Sequence, residues 1–256
     1  MIFESHAHYD DRAFDEDRDC LLLSMRDKGI EYIVDVAAEY ESIDVIYEMI
    51  QKYDFVYGTV GVHPSELDGM NEDRFEEMRK KALRNKIVAI GEIGLDYYWE
   101  KEEEAKANQR DWFVKQLQLA RDVNKPVIIH SREAAADTLD IMKKEAVDLR
   151  GVVHCYSYSK ELAKVYADMG YYFGIGGVLT YKNAKKLVEV VEYLPLEQIL
   201  LETDSPYLSP VPNRGKRNSS LNLPYVAEKI AEIKNIPYDT VVAVTSSNAK
   251  RLFFNK

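Results

Sequence analysis

The chain has 256 residues, 46% of them hydrophobic and 30% charged, and a net charge of −10 at pH 7. That length and apolar content suffice for one large core, an ordinary charged fraction without low-complexity tracts argues against disorder, and the acidic balance excludes a broad basic face that coats nucleic acid. A small basic mouth, or cations that take over charge neutralisation, stays compatible with it. The two cysteines, Cys20 and Cys155, lie far apart without metal-type spacing and read as free thiols in a reducing compartment. Met1 to His6 lacks a basic segment and a sustained apolar stretch, and no apolar run reaches membrane-span length, so a cytoplasmic protein is expected.

In chain order, Ile2 to Ser5 reads as a first strand from whose end His6-Ala-His8 departs, and residues 15–28 show helical spacing that stops at Gly29. Residues 31–38, rich in β-branched side chains, predict a second strand, and residues 42–52 a helix. A third strand over 55–62 ends at His63-Pro64 and is followed by a helix over 72–84. The fourth strand, Ile87 to Asp96, precedes a long helix over about 105–123. Pro126 to His130 is the fifth strand, with proline tolerable at its first position, and a helix over 133–144 follows. Strands over 151–154, 171–174 and 198–202 then alternate with helices over 160–169 and 184–193, and helices over 223–234 and 238–252 close the chain.

Eight strand-helix alternations in this length predict a (β/α)8 TIM barrel, residues 1–256 forming a single domain. A doubly wound open sheet is the rival, but it gathers its polar residues at one switch point rather than after six strands. In a barrel the strand C-termini face one mouth, so His6, His8, His63, Glu92, His130, His154 and Asp204 would be neighbours. All five histidines follow apolar, strand-like runs.

Glu92 sits in the apolar run Ile87 to Asp96, where a charge persists only if paired, protonated or bound to a cation. His6 and His8, two apart on extended chain, share a face and offer two nitrogen ligands. A lone HxH is a weak signal, and His130 or His154 alone reads as a satisfied core histidine; it is the set that points to metal. Asp204 by itself reads as an N-cap for the turn at Ser205-Pro206. Four imidazoles and two carboxylates exceed what one tetrahedral ion needs, whereas two ions bridged by Glu92 use them all: His6 and His8 for one, His130 and His154 for the other. The donor set suits Zn, Mn, Mg or Fe. Two such ions acidify a shared water, with Asp204 placed to take its proton, and the predicted reaction class is metal-assisted hydrolysis. His63 is expected to orient substrate, bind phosphate or close the loop before Pro64.

The motifs Phe3-Glu-Ser-His6-Ala-His8-Tyr-Asp10, Gly61-Val-His63-Pro64, Gly91-Glu92-Ile-Gly-Leu-Asp-Tyr-Tyr98, Pro126-Val-Ile-Ile-His130-Ser-Arg-Glu-Ala134, His154-Cys-Tyr-Ser157, Leu201-Glu202-Thr-Asp204-Ser-Pro-Tyr-Leu208, Arg214-Gly-Lys-Arg-Asn218 and Asn248-Ala-Lys-Arg-Leu-Phe253 run nearly end to end. As a set they resemble the TatD family of metal-dependent deoxyribonucleases, within the amidohydrolase-like barrel enzymes. The resemblance implies a (β/α)8 barrel, one to three divalent ions and hydrolysis of phosphodiester bonds, often as a 3′-5′ exonuclease; with the ligand count, two or three ions of Zn, Mg or Mn are expected, and DNA, single-stranded or at its 3′ ends, as substrate. It makes His6, His8, Glu92, His130, His154 and Asp204 metal ligands. Two departures stand out: Glu4 replaces the usual aspartate, and Ser219-Ser220 replaces the usual Glu-Pro after Asn218. In the same loop, Arg214, Lys216 and Arg217 form the clearest basic cluster and are expected to contact substrate phosphates, with Arg132 a second candidate. Tyr97, Tyr98 and Trp99 offer faces for stacking on a base or ribose, or simply pack the loop. Other readings are a hydrolase of the same fold acting on an ester or amide, such as aminoacyl-tRNA, and a catalytically silent metal-binding barrel.

Overall fold

A computed structural model describes residues 1–255. Eight strands appear: β1 (Ile2–Ala7), β2 (Ile30–Asp35), β3 (Val56–Val60), β4 (Ile87–Asp96), β5 (Val127–Arg132), β6 (Gly151–Val153), β7 (Tyr172–Ile175) and β8 (Ile199–Leu201). The helices are α1 (Arg18–Ser24), α2 (Ser42–Lys52), α3 (Glu72–Ala82), α4 (Glu103–Asp122), α5 (Ala135–Glu145), α6 (Lys160–Asp168), α7 (Lys185–Tyr193), α8 (Leu223–Lys234) and α9 (Tyr238–Phe254). The sheet takes its strands in sequence order, β1 to β8, which with the intervening helices is the topology of a (β/α)8 barrel. The residues group into two compact units, one of Val36–His154 and one of Met1–Asp35 with the chain from Cys155 onward.

In the Val36–His154 unit, β3, β4, β5 and β6 pair in parallel, with Val60 opposite Ile90, Gly94 opposite His130, Asp96 opposite Arg132 and Ile129 opposite Val153. All ten residues of β4 are buried, and its pairing with β5 slips between Ile90 and Ile93. Such a bulge re-aims a side chain, and Glu92 lies inside it. Gly94 has φ +147°, and a Cβ there would sit 1.9 Å from the His130 carbonyl oxygen, so only glycine lets β4 and β5 close up beyond Glu92. Two buried glutamines of α4 act as backbone mimics at the strand ends. The Gln109 amide accepts the Asp96 N–H (2.9 Å) and donates to the Asp96 carbonyl (3.1 Å). Gln116 does the same for Val62, at 2.8 and 3.1 Å.

In the other unit, β7 pairs with β8 and β1 with β2, and Ala7 bridges to Ser205 just past β8. Helix α9 covers this sheet: Phe3 of β1 stacks on Phe253 (5.9 Å between centroids) and meets Phe254 (5.4 Å). Asn248 on the same helix donates to the Leu196 and Ile199 carbonyls at 2.8 and 2.9 Å. The motif Asn248 to Phe253 therefore serves the fold.

The chief departure from the expected elements is residues 15–28, where one helix was predicted. The chain instead makes short 3₁₀ turns at Arg12–Phe14 and Arg26–Lys28 around α1. Asp17 departs from helical geometry, at φ −138°, and Arg18 bonds the carbonyls of Tyr9, Asp10 and Asp11 and the Asp15 carboxylate. Hydrogen bonding to the turn after His8 competes with a continuous helix. Strands β1 and β5 also run further than expected, so His6 and His130 lie within strands.

Asn248→Ala leaves two buried carbonyls without their donor and is expected to cost about 2 kcal/mol. Urea unfolding checks this, and an unchanged midpoint would show that the helix docks without the amide.

Candidate metal centre

On the Val36–His154 unit the strands bring Glu92, His130 and His154 together. Glu92 Oε1 lies 2.6 Å from His154 Nε2 and 2.7 Å from His130 Nδ1, and these two nitrogens are 3.3 Å apart. His63 joins them more loosely, its Nε2 3.9 Å from Glu92 Oε1 and its ring 4.2 Å, centroid to centroid, from that of His130. The other ring nitrogen of His130, Nε2, is 3.2 Å from Asp96 Oδ2. A carboxylate on the far side of a ligating imidazole fixes its orientation and tautomer.

Burial opposes a charge on His130, but the bonds to Asp96 and Glu92 outweigh it and hold its pKa above the usual histidine value. Burial, then the neighbouring His130, pulls His63 down to about 3, so it is neutral across physiological pH. Because His63 Nδ1 accepts the Ser65 N–H (3.1 Å), the proton of the neutral ring belongs on Nε2.

The other unit carries its own set. His6 Nε2 and His8 Nε2 are 3.1 Å apart, and Asp204 Oδ1 lies 3.8 and 3.4 Å from them. Asp204 has a left-handed backbone, φ +56°, an uncommon conformation for a non-glycine residue that concentrates at functional sites. Behind His6, the buried Glu4 accepts the His6 N–H (3.1 Å), the Thr203 N–H (3.0 Å) and the Thr203 hydroxyl (2.7 Å), yet burial pushes its pKa up to about 7. Burial also raises Asp10, to about 6, and Asp35 well above the carboxylate range. Buried Glu202 accepts the Cys155 N–H at 2.5 Å. Gly174 makes room for it, since a Cβ there would fall 1.9 Å from Glu202 Oε2.

These sets suit divalent ions on donor chemistry and spacing. Two nitrogens at about 2.0–2.1 Å from a tetrahedral ion stand about 3.3 Å from each other, and the two imidazole pairs are 3.3 and 3.1 Å apart. In each pair a carboxylate oxygen completes the triangle. All six predicted ligands thus fall into these two triads, three residues on each unit.

The predicted substrate contacts fare differently. Arg217 is engaged by Asp17 (2.6 and 2.8 Å) and by the Ala13 carbonyl (2.6 Å), and it lies over the Phe14 ring. Arg214 lies over Tyr181, 4.4 Å from its centroid, and Lys216 is exposed. The Tyr97 hydroxyl donates to Asp137 (2.7 Å). Arg132 ends β5 over the Tyr98 ring. Sequence reasoning left Asp96, Glu4 and Glu202 out of the site. The signal available for them was the same as for Glu92: a carboxylate within or at the end of an apolar strand.

Imidazole and carboxylate ligands at the C-terminal ends of the strands of a (β/α)8 barrel are the hallmark of metal-dependent hydrolases of that fold. Comparison with known proteins agrees. A family model described as TatD related DNase matches residues 3–254. The uncharacterized metal-dependent hydrolase YabD of Bacillus subtilis is 40% identical over 99% of both chains, and YcfH of Escherichia coli K12, described in the same words, is 36% identical over 99% of this chain and 96% of its own. The crystal structure of YjjV, a TatD homologue from Escherichia coli K12, superposes with a TM-score of 0.90 at 29% identity, covering 99% of this chain and 98% of that one. The chain belongs to the TatD family of metal-dependent hydrolases. Among the described residues no helix is long and apolar enough to cross a membrane.

Asp96→Ala is expected to weaken ion binding about 10- to 100-fold by freeing the His130 ring, as measured by competition with a chelator. With its pKa held above the usual histidine value, His130 keeps its second proton to higher pH, and an ion taking one of its nitrogens must displace that proton. Affinity for Zn²⁺ should therefore fall as pH drops from 8 to 5. Titration calorimetry in two buffers of different ionisation heat reads the released proton; none released, with affinity flat across pH, would contradict the assignment.

Proposed function

We propose that this chain is a TatD-like deoxyribonuclease that cleaves phosphodiester bonds in DNA as a 3′-5′ exonuclease, in the cytoplasm, with two divalent ions or three, of Zn, Mg or Mn. The observation that carries the reading is the pairing of each imidazole couple with a carboxylate oxygen at metal-ligand spacing, in a chain matched over its length by a family model of DNases. His6, His8 and Asp204 would hold one ion, and Glu92, His130 and His154 the other.

Ions bound there polarise a phosphoryl oxygen and acidify water. The chain's own groups supply the rest. Asp204 keeps a fifth of its side-chain surface open (19%) and is the group assigned to take a proton from the attacking water. His63, neutral and protonated on Nε2, is a hydrogen-bond donor to a phosphoryl oxygen. Asp96 keeps His130 aimed. Arg214 and Lys216 meet substrate phosphates, and Arg217, through Asp17, holds their loop in place; Arg132, Tyr98 and Tyr97 border the opening after β4 and β5.

Protein reconstituted with Mn²⁺ or Zn²⁺ is expected to hold two equivalents of metal and to release 5′-mononucleotides from 5′-labelled single-stranded DNA. Asp204→Asn should lower turnover by about 100-fold or more. Undiminished activity in that variant would assign the nuclease to a contaminant, and metal binding without any cleavage of DNA would sink the deoxyribonuclease reading.

A further inference from the structure

The three aromatic residues that follow Asp96 do three different jobs. Tyr97 is tied through its hydroxyl to Asp137 and packs inward. Tyr98 has one face taken by Arg132, whose guanidinium carbon stands 3.9 Å from the ring centroid. Trp99 meets Tyr98 edge-on, 4.6 Å between centroids at 86°, and is 66% exposed, whereas Trp112, the only other tryptophan, is 8% exposed. Arg132 also reaches Trp99, at 5.7 Å from its ring.

We propose that Trp99 is a stacking platform for one unpaired nucleobase of a single-stranded nucleic acid, with Arg132, held on Tyr98, as the cation for the adjoining phosphate. The proposal rests on the nuclease reading and narrows it to strands whose terminal base is out of a duplex.

Isolated exposed apolar residues need no explanation, but this one belongs to a hydrogen-bonded turn with an aromatic and a cationic neighbour. Asp96 Oδ1 accepts the N–H groups of Tyr98 (2.9 Å) and Trp99 (3.4 Å), and Lys101 donates to the Tyr97 carbonyl at 2.7 Å. The turn thus carries hydrogen bonds of its own at Tyr97, Tyr98 and Trp99, which lower the ordering cost on association. Asp96 Oδ2 is the oxygen that meets His130, so one carboxylate holds both the aromatic turn and a ligating imidazole in a set relation. Arg132 stands opposite Asp96 in the β4–β5 register and two residues beyond His130, so the strand that carries an imidazole also carries the cation beside the aromatic pair.

A flat π-face with an adjoining guanidinium recognises a base and its phosphate without reading sequence, and every base offers such a face. An interior base of a duplex is covered on both faces and an end base is held by its pairing partner, whereas the end base of a single strand is free to turn its face onto Trp99.

The probe is a phosphorothioate-linked thymidine hexamer, which resists turnover, compared with an abasic hexamer of the same length, each added to the metal-loaded protein. The expected result is quenching of tryptophan emission by the thymidine hexamer alone, disappearance of that quenching in Trp99→Phe, an affinity loss of about tenfold in Trp99→Ala, and near-complete retention of affinity in Trp99→Phe. Equal quenching by both hexamers, quenching that persists in Trp99→Phe, or unchanged affinity in Trp99→Ala overturns the proposal. Equal binding of the two hexamers by the wild-type chain does so while leaving the nuclease reading intact; binding of neither removes both.

Discussion

A single carboxylate oxygen organises this molecule's chemistry. Glu92 Oε1 is wedged between imidazole nitrogens of His130 and His154 at 2.7 and 2.6 Å, on a strand whose every residue is buried. An isolated ionised carboxylate in such a place costs several kcal/mol or more, so the strands around it must supply compensation. They do so by geometry: the bulge in β4 aims Glu92, Gly94 lets β5 approach, and Asp96 two residues beyond Gly94 fixes the ring that Glu92 meets. Removing any of these leaves a charge in an apolar wall without its partners.

On the other unit the compensation is different. Glu4, Asp10 and Asp35 are buried with pKa values raised by that burial, so this region stores acidity behind His6 and His8. A cation near those imidazoles favours the ionised form of every carboxylate around it. Ion binding and the protonation of this unit's interior are therefore linked.

Much of this was legible in the sequence because periodicity and chemistry coincided. The run Ile87 to Asp96 became a strand with the predicted bounds, and the helices over 42–52 and 223–234 also kept theirs. Each of the six expected ligands lies within a strand or shortly after one. Other features left no periodic trace. Residues 12–28 form a short helix between turns because Arg18 serves carbonyls of the preceding loop, a demand from outside the helix that helical spacing does not register. Arg217 read as a phosphate contact in a basic run, and its pairing with Asp17, 200 positions away, left no trace in the local sequence. Gln109 and Gln116 were invisible as clamps because a polar residue on an amphipathic helix ordinarily faces water.

Those two glutamines carry a consequence for how the protein can change. They lie seven positions apart on α4, nearly two full turns, and so project from the same side to grip the ends of two adjacent strands. Inserting or deleting one residue between them swings one amide about 100° away from its strand. This stretch of α4 thus behaves as a ruler of invariant length. Drift in chain length within the unit has to be absorbed elsewhere, in the connections at its rim, where substrate preference can diverge while the spacing of the strand ends is preserved.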